Sequence, residues 1–287
     1  MKVLVLGATG MVGGAVVQNL LKGGASVAAL TRSAEKAKNL PAGVEPRIGD
    51  LNDPYQVGDA FKGVQAVFLL NAVSSTETQE GLFALEWAKR HGVKKLVHLS
   101  VQHVERAPHL PHFAGKIAIE MAIKKSGLDY TILQPNNFFQ NDYWYKDPMH
   151  QYGLYPQPLG SVGTERVDVR DIADAAAKAL EGGAAGAKTV ILAGPTAETG
   201  TSTAATWAKH LGQPIAYLGD DLESWEQGSL KYLPPWMVFD FKMMYAYFQK
   251  YGLKADPGER EATEKLIGHP MRSFDAFAKE TASQWKA

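Results

Sequence analysis

The sequence predicts an α/β fold, in which helices are wound over both faces of a parallel β-sheet, together with a smaller, mainly helical part. Short apolar segments alternate with segments of helical spacing through the first half of the chain, as parallel βαβ crossovers require. The strand predicted over residues 66–72 begins with five consecutive apolar residues, 66–70, which is typical of a strand buried on both faces. Glycines such as Gly92 and Gly127 end the predicted helices.

The elements follow in a regular order as far as residue 134. Strands are predicted over residues 2–6, 26–32, 44–51, 66–72, 95–101 and 129–134. Helices are predicted between them over residues 15–21, 33–40, 53–61, 80–91 and 111–126. Residues 135–166 are rich in Asn, Tyr, Pro and Gly, so we expect irregular loops that form part of a functional site.

The second half of the chain is predicted to contribute elements to the first domain, rather than to form a separate domain that follows it. A helix over 167–180 and a strand over 188–194 are expected to return to the sheet, and 215–218 is expected to form a short strand. One domain is therefore predicted from residues 1–155 with 167–194. A second part is predicted from residues 195–287 with the loop 135–166.

The composition excludes several classes of function. The 287 residues contain 30 Lys plus Arg, 30 Asp plus Glu and no Cys. Disulfides, thiolate catalysis and cysteine-ligated metals are thereby excluded, and no net charge favours nucleic acid or a membrane surface. No apolar run approaches the roughly 20 residues that a membrane helix needs. Because the first strand begins at residue 2, we expect no signal peptide and a cytoplasmic protein.

The most informative motif is the turn GATGMVG at residues 7–13, between the first strand and the first helix. Glycines in this position leave backbone N–H groups and the positive end of a helix open to an anion, as in dinucleotide-binding Rossmann domains. A tight turn without a ligand is the alternative. The residues predicted to contact the pyrophosphate are Gly7, Thr9, Gly10, Met11, Val12 and Gly13.

Two cations near the second strand indicate which dinucleotide is preferred. Sites for NAD usually place a carboxylate at the end of this strand, whereas this chain has Arg32, with Lys36 on the following helix. A guanidinium is suited to a 2′-phosphate. We therefore predict NADP(H) as the cofactor, with NAD(H) as the alternative and an ordinary exposed arginine as the simplest explanation of Arg32.

Other polar residues follow strands at the same predicted edge of the sheet. Asp50 and Leu51 end the third strand, Asn71 the fourth and Ser100 the fifth. Ligands of open α/β sheets bind at the carboxyl ends of the strands, so these four residues are predicted to contact the cofactor. The alternative is that they form turns and cap the helices that follow.

These motifs, together with YTILQPNNF at residues 130–138 and VDVRDIA at residues 167–173, resemble the NmrA-like family of atypical short-chain dehydrogenases. The resemblance covers most of the chain. It implies a Rossmann fold and an NADP(H) site. The family includes isoflavone-reductase-like and quinone- or dye-reducing enzymes, and also proteins that only sense the redox state of the nicotinamide.

The resemblance also directs attention to residues 112–116. Ordinary short-chain dehydrogenases carry Tyr-x-x-x-Lys on one helix, and here the lysine is Lys116 while His112 replaces the tyrosine. We predict that Lys116 binds the nicotinamide ribose and that His112 is a candidate proton donor. An exposed ion pair between Lys116 and Glu120 is the alternative. The spacing of His98, His103, His109 and His112 fits no familiar ligand set, so no metal is predicted.

The substrate side is predicted from the segment after the sixth strand. Pro135, Asn136 and Asn137 are expected beside the nicotinamide, followed by the aromatic residues 143–145. The aromatic residues between 236 and 248 suit either a lid over a flat substrate or a helix that packs in a core or forms a homodimer. No nucleic acid or membrane partner is expected.

The predicted function is an NADPH-dependent reductase of small quinone-like, azo or conjugated aromatic acceptors. Without the tyrosine, an unactivated ketone would lack a well-placed acid, whereas these acceptors yield stabilised anions. The alternative is a non-catalytic NADP(H)-binding redox sensor that acts through a protein partner. A nucleotide-sugar epimerase or dehydratase is disfavoured by the same missing tyrosine.

Overall fold

The computed structural model describes residues 1–182 and 188–286. Of the predicted domains, residues 183–187 and Ala287 therefore lie outside the described residues. The strands are β1 (Lys2–Val5), β2 (Ser26–Thr31), β3 (Val44–Ile48), β4 (Ala66–Leu69), β5 (Lys95–Leu99), β6 (Asp129–Pro135), β7 (Leu154–Tyr155), β8 (Thr189–Leu192) and β9 (Ala216–Tyr217). Among the described residues, no helix combines the length and the apolar character that crossing a membrane requires.

Twelve α-helices are described in these residues. They are α1 (Met11–Lys22), α2 (Ala34–Ala37), α3 (Pro54–Val57), α4 (Glu77–Arg90), α5 (Pro111–Lys124), α6 (Lys146–Tyr152), α7 (Val169–Leu180), α8 (Gly200–Leu211), α9 (Leu222–Ser229), α10 (Pro235–Tyr251), α11 (Glu259–Ile267) and α12 (Phe274–Lys286). The 3-10 helices are Gly58–Phe61, Val104–Arg106 and Phe139–Tyr145.

Seven strands form one sheet in the order β3-β2-β1-β4-β5-β6-β8. The pairs from β3 to β6 are parallel, which confirms the predicted α/β fold with a doubly wound parallel sheet. The chain runs outward from β1 to β3 and then returns to β4 on the other side of β1. The carboxyl ends of β1 and β4 therefore form the switch point at which open α/β sheets bind ligands.

The chain divides into two compact units. The sheet unit comprises Met1–Pro135, Val169–Ile191 and Glu261–His269, and the second unit comprises Asn136–Asp168, Leu192–Arg260 and Pro270–Ala287. In the sheet unit, central strand residues such as Leu4, Val67 and Leu96 are fully buried, because both faces of a parallel sheet are covered by helices. The assignment of cofactor binding to residues 1–155 stays a prediction.

The predicted irregular loop at 135–166 is wrong in its middle. A 3-10 helix at Phe139–Tyr145 leads directly into α6, and β7 pairs with β9. The buried Phe139 ring packs against Phe277, with 5.5 Å between ring centroids. This contact holds the start of the 3-10 helix against the core of its unit. Pro148 lies in the first turn of α6, where its missing N–H has no intrahelical partner to lose.

The core of the second unit is built around a buried ion pair. The Arg166 Nη2 and Asp142 Oδ1 atoms are 2.6 Å apart, and both side chains are inaccessible to solvent. Asp142 also accepts hydrogen bonds from Trp207 Nε1 at 2.8 Å and from the Tyr155 hydroxyl at 3.0 Å. Because the charges satisfy each other and their neighbours, the arrangement avoids the penalty of an unpaired buried charge.

Candidate cofactor site and active-site helix

The glycine turn between β1 and α1 is shaped by close backbone contacts. Gly7 has a φ of 69°, and its carbonyl oxygen accepts from Gly10 N at 2.9 Å. A Cβ atom on Gly13 would lie 2.2 Å from that same oxygen, so only glycine fits there. Among the described residues, no side chain caps α1 and no acid lies in its first turn. Its N–H groups and positive dipole end are therefore open to an anion.

A groove of about 460 Å³ runs beside this turn. Thr9 and Gly10 form one side of it, and Lys36 contributes a cation from α2. Arg32 directly follows the last residue of β2 and is exposed. It is not among the described residues that line this groove. The structure therefore brings Lys36, but not Arg32, against the glycine turn.

The two residues predicted at the end of β3 make local contacts. The Asp50 Oδ1 atom accepts a hydrogen bond from the Asn52 backbone N–H at 3.0 Å, which is a turn-forming contact. Leu51 is half-buried and packs against the hydrophobic core. These contacts match the structural alternative, and the cofactor-binding role of both residues stays a prediction.

Asn71 and Ser100 follow the adjacent strands β4 and β5, each two residues beyond the paired residues Leu69 and His98. Both are buried, and the Asn71 Oδ1 and Ser100 Oγ atoms have no hydrogen-bond partner among the described residues. Buried polar atoms are rarely left unsatisfied, so these two atoms at neighbouring strand ends are candidates to contact a ligand. The Asn71 amide nitrogen is held by Glu80 at 3.4 Å.

Lys116 on α5 is buried, and its Nζ atom is paired with the Oε1 atom of Glu77 in the first turn of α4. Gly115 permits this approach of the two helices, because a Cβ there would lie 2.7 Å from the Thr78 hydroxyl oxygen. The alternative that Lys116 forms an exposed pair with Glu120 is wrong. Glu120 instead accepts from Lys124 Nζ at 2.9 Å and is buried.

Sequence reasoning did not find Glu77. The helix α4 was predicted to begin at Glu80, three residues later than its observed start, so Glu77 was outside the predicted element. Acidic residues are favoured in the first turn of a helix by the macrodipole. The pair of acids Glu77 and Glu80 ahead of an apolar periodic run was the signal that could have extended the helix.

His98 on β5 is a second buried polar group that sequence reasoning left without a role. Its Nδ1 lies 3.2 Å from the Leu69 carbonyl oxygen, which can only accept, so we assign the proton to Nδ1. Its Nε2 has no hydrogen-bond partner among the described residues. Burial, and then the positive charge of Lys116, lower the pKa of His98 to about 3, so the ring is neutral at physiological pH.

The lowered pKa predicts a specific loss of stability in acid. The unfolded chain protonates His98 below its ordinary pKa of 6.5, whereas the folded chain does so only near 3. The free energy of unfolding should therefore fall as the pH drops through this window, by about 2 kcal/mol at pH 5 from this group. Urea unfolding of the wild type and of His98→Gln across this range measures the difference. Equal slopes in both proteins would contradict the prediction.

His112 lies one helical turn before Lys116 on α5. It is half-buried, and its ring packs edge-to-face on Phe113 with 4.7 Å between centroids and an interplanar angle of 86°. Its position one turn away allows both side chains to act on the same helix face. The role of His112 as a proton donor stays a prediction.

Pro135 ends β6 in the sheet unit, whereas Asn136 and Asn137 belong to the second unit. The Asn136 Nδ2 atom donates to the Leu253 carbonyl at 2.8 Å, and the Asn137 Oδ1 atom accepts from Arg166 Nε at 3.2 Å. Both side-chain amides thus make contacts within their own unit. Cofactor contacts by Pro135, Asn136 and Asn137 stay predictions.

The aromatic segment predicted as a lid or a packing helix is the single helix α10. One side of it is buried through Met244, Tyr245 and Phe248, while Trp236 and Phe239 are exposed. The buried side of α10 therefore packs in the core of its unit. The lid over a flat substrate and the homodimer stay predictions.

Comparisons with known proteins agree with the geometry. A model of the NmrA-like family matches residues 1–278. An NAD(P)H azoreductase from Xenophilus azovorans is 31% identical over 99% of both proteins. A (4-alkanoyl-5-oxo-2,5-dihydrofuran-3-yl)methyl phosphate reductase from Streptomyces griseus is 31% identical over 98% of both.

Among solved structures, an NADPH-dependent quinone oxidoreductase from Escherichia coli in complex with NADPH superimposes with a TM-score of 0.85. It is 25% identical, and the match covers 99% of this chain and 100% of that chain. The family match and the fold match extend over nearly the whole length. The resemblance inferred from the glycine turn and the strand ends is confirmed, and the chain belongs to the NmrA-like family.

Proposed function

We propose that the chain is an NAD(P)H-dependent oxidoreductase that reduces a small quinone, azo compound or conjugated aromatic acceptor. The glycine turn carries this proposal. The backbone at Gly7 and Gly13 approaches so closely that no side chain fits between them, and this leaves the amino-terminal end of α1 accessible to a pyrophosphate. The names of the relatives, an azoreductase and a quinone oxidoreductase, support the reaction class and the acceptor class.

The residues around the turn fit a bound dinucleotide. Asn71 Oδ1 and Ser100 Oγ are buried without partners among the described residues; the amide oxygen would accept a hydrogen bond from the cofactor, and the hydroxyl would donate or accept one. Lys36 supplies positive charge in the groove, and the exposed Arg32 is free to fold toward a 2′-phosphate. When bound, the reduced cofactor supplies a hydride.

We infer that Lys116 assists at the acceptor. Its ammonium group has three N–H donors, and one of them is taken by Glu77. The other two are available for a ribose hydroxyl or an acceptor oxygen. Since hydride addition to quinones, azo compounds and enones yields stabilised anions, hydrogen-bond donation suffices where a ketone would need full proton transfer.

Replacement of Arg32 tests the choice between the two nicotinamide cofactors. We expect Arg32→Ser to raise the Kd for NADPH about tenfold, since a charge-assisted hydrogen bond contributes about 1.5–3 kcal/mol. The Kd for NADH should remain nearly unchanged. Isothermal titration with both cofactors measures this. The matched control is Lys38→Ser, which removes an exposed cation at the carboxyl end of α2. Equal losses for NADPH and NADH would overturn the assignment.

Steady-state assays test the proposed activity. Purified protein with NADPH is presented with a naphthoquinone, a neutral azo dye and an enone, and cofactor oxidation is followed. We expect turnover with at least one of them. Tight binding of NADPH with no oxidation by any acceptor would instead favour a redox sensor, the alternative kept open by His112 in place of a tyrosine.

A further inference from the structure

The second unit contains a cavity of about 890 Å³ whose walls are largely aromatic. Trp225 and Tyr245 meet edge-to-face in this wall, with 5.0 Å between ring centroids and an interplanar angle of 74°. Burial raises the pKa of the Tyr145 and Tyr245 hydroxyls, so both phenols are neutral. The size is that of a cavity for a small organic ligand.

Several aromatic side chains at this cavity are exposed. Tyr232 is 86% exposed, Tyr152 is 71% exposed and Trp144 is 63% exposed, and all three line the same cavity. Single exposed aromatic residues are ordinary, but a group that converges on one concave surface marks a binding site. A flat ring system placed there would cover these faces.

The charge of the cavity has one sign. Among the described residues that line it are two carboxylates, Asp147 and Asp221, and neither a lysine nor an arginine. Asp221 caps α9, and its hydrogen bond with the Ser224 hydroxyl lowers its pKa, so it is ionised at neutral pH. Asp147 has no hydrogen-bond or ion-pair partner among the described residues.

Two lysines near the cavity, Lys242 and Lys146, do not line it and interact with other groups. Lys242 pairs with Glu223 at 3.1 Å and with Glu226 at 2.8 Å, and Lys146 lies over the Trp285 ring at 5.7 Å. Asp147 therefore has no cation beside it among the described residues of the lining, whereas the nearby charge of Lys242 partly offsets that of Asp221. Attraction to a cation and repulsion of an anion both follow.

We propose that this cavity binds a planar aromatic cation. Trp and Tyr faces attract a positive charge through the ring quadrupole, and Asp147 and Asp221 add attraction of the same sign. An aromatic sulfonate of the same size would find equal ring contacts but would be repelled. The proposal goes beyond the reductase function and does not depend on it, because binding requires no cofactor.

Equilibrium dialysis of the full chain, without NADPH, tests the proposal. The probes are two azobenzenes of one skeleton, one with a 4′-trimethylammonium group and one with a 4′-sulfonate group. We expect the cation to bind at least about tenfold more tightly than the sulfonate. A carboxylate about 4 Å from the charged group of a probe changes the probe's affinity roughly fivefold even at the dielectric constant of water. Asp147→Asn should reduce this preference at least about fivefold, because it removes both the attraction of the cation and the repulsion of the sulfonate.

Matched variants separate the cavity from general effects of charge. Asp59→Asn removes one exposed carboxylate in the sheet unit and should leave the preference unchanged. Tyr232→Ser should weaken both probes. Equal affinity for the two probes, or an unchanged preference in Asp147→Asn, would overturn the proposal. A further outcome would also overturn it. If the wild type is a dimer that binds neither probe, and Tyr232→Ser makes this dimer dissociate, the aromatic residues form an interface between two copies of the chain.

Discussion

Gly13→Ala should abolish cofactor binding while the rest of the fold survives in weakened form. Its added Cβ would lie 2.2 Å from the Gly7 carbonyl oxygen and 2.6 Å from the Gly7 carbonyl carbon. These are backbone atoms, so the turn itself must open. We expect the Kd for NADPH to rise at least about 100-fold and the free energy of unfolding to fall by about 1–3 kcal/mol. Isothermal titration and urea unfolding measure the two effects.

The neighbouring glycine provides the control. A Cβ on Gly14 would meet its nearest atom, the Ala8 carbonyl oxygen, at 3.6 Å, which is an ordinary contact. Gly14 also lines the groove, but Gly14→Ala should leave the turn closed, so its Kd for NADPH should change far less than that of Gly13→Ala, and its helix propensity should raise stability slightly. If Gly13→Ala binds NADPH like Gly14→Ala, the turn is not the pyrophosphate site.

The second large effect concerns the buried pair of Lys116 and Glu77. Lys116→Met leaves the Glu77 carboxylate buried without its partner, which should lower the free energy of unfolding by about 3–5 kcal/mol. Glu77→Met should have a similar effect, because it leaves the buried Lys116 ammonium without its partner. Chemical unfolding at neutral pH measures both.

The double variant separates stability from catalysis. Lys116→Met with Glu77→Met removes both charges, so much of the lost stability should return. Turnover should not return, because the N–H donors of Lys116 are still missing. A double variant that regains both stability and turnover would reduce Lys116 to a structural residue.

The local pattern of the chain was sufficient to predict the sheet and the cofactor turn. Strands buried on both faces, such as β4, read as continuous apolar runs, and glycines mark where helices must stop. The turn at residues 7–13 combines both signals in one short segment. For this reason the fold and the family could be predicted without any structure.

Contacts between distant residues could not be predicted in the same way. The Lys116–Glu77 pair joins two helices across 39 positions of sequence, whereas the local spacing suggested Glu120. Helix α6 and the 3-10 helix before it form because Phe139 enters an aromatic core with Phe274 and Phe277. That core is assembled from both ends of the second unit, so composition alone indicated only a loop.

The predicted third strand and second helix were too long for a related reason. The third strand was predicted to reach residue 51 but ends at Ile48. A Cβ on Gly49 would lie 3.3 Å from Val57 Cα, so the chain turns there under tertiary packing. Helix α2 covers only Ala34–Ala37, although eight residues were predicted.

The most direct test is a single turnover of bound NADPH. The protein–NADPH complex is mixed anaerobically with an equal amount of a naphthoquinone, and the near-ultraviolet absorbance of the reduced nicotinamide is followed. We expect the absorbance to disappear as the quinol forms in equal amount, and to persist in Lys116→Met. Bound NADPH that remains reduced in the wild type with the naphthoquinone, an azo dye and an enone would contradict a reductase.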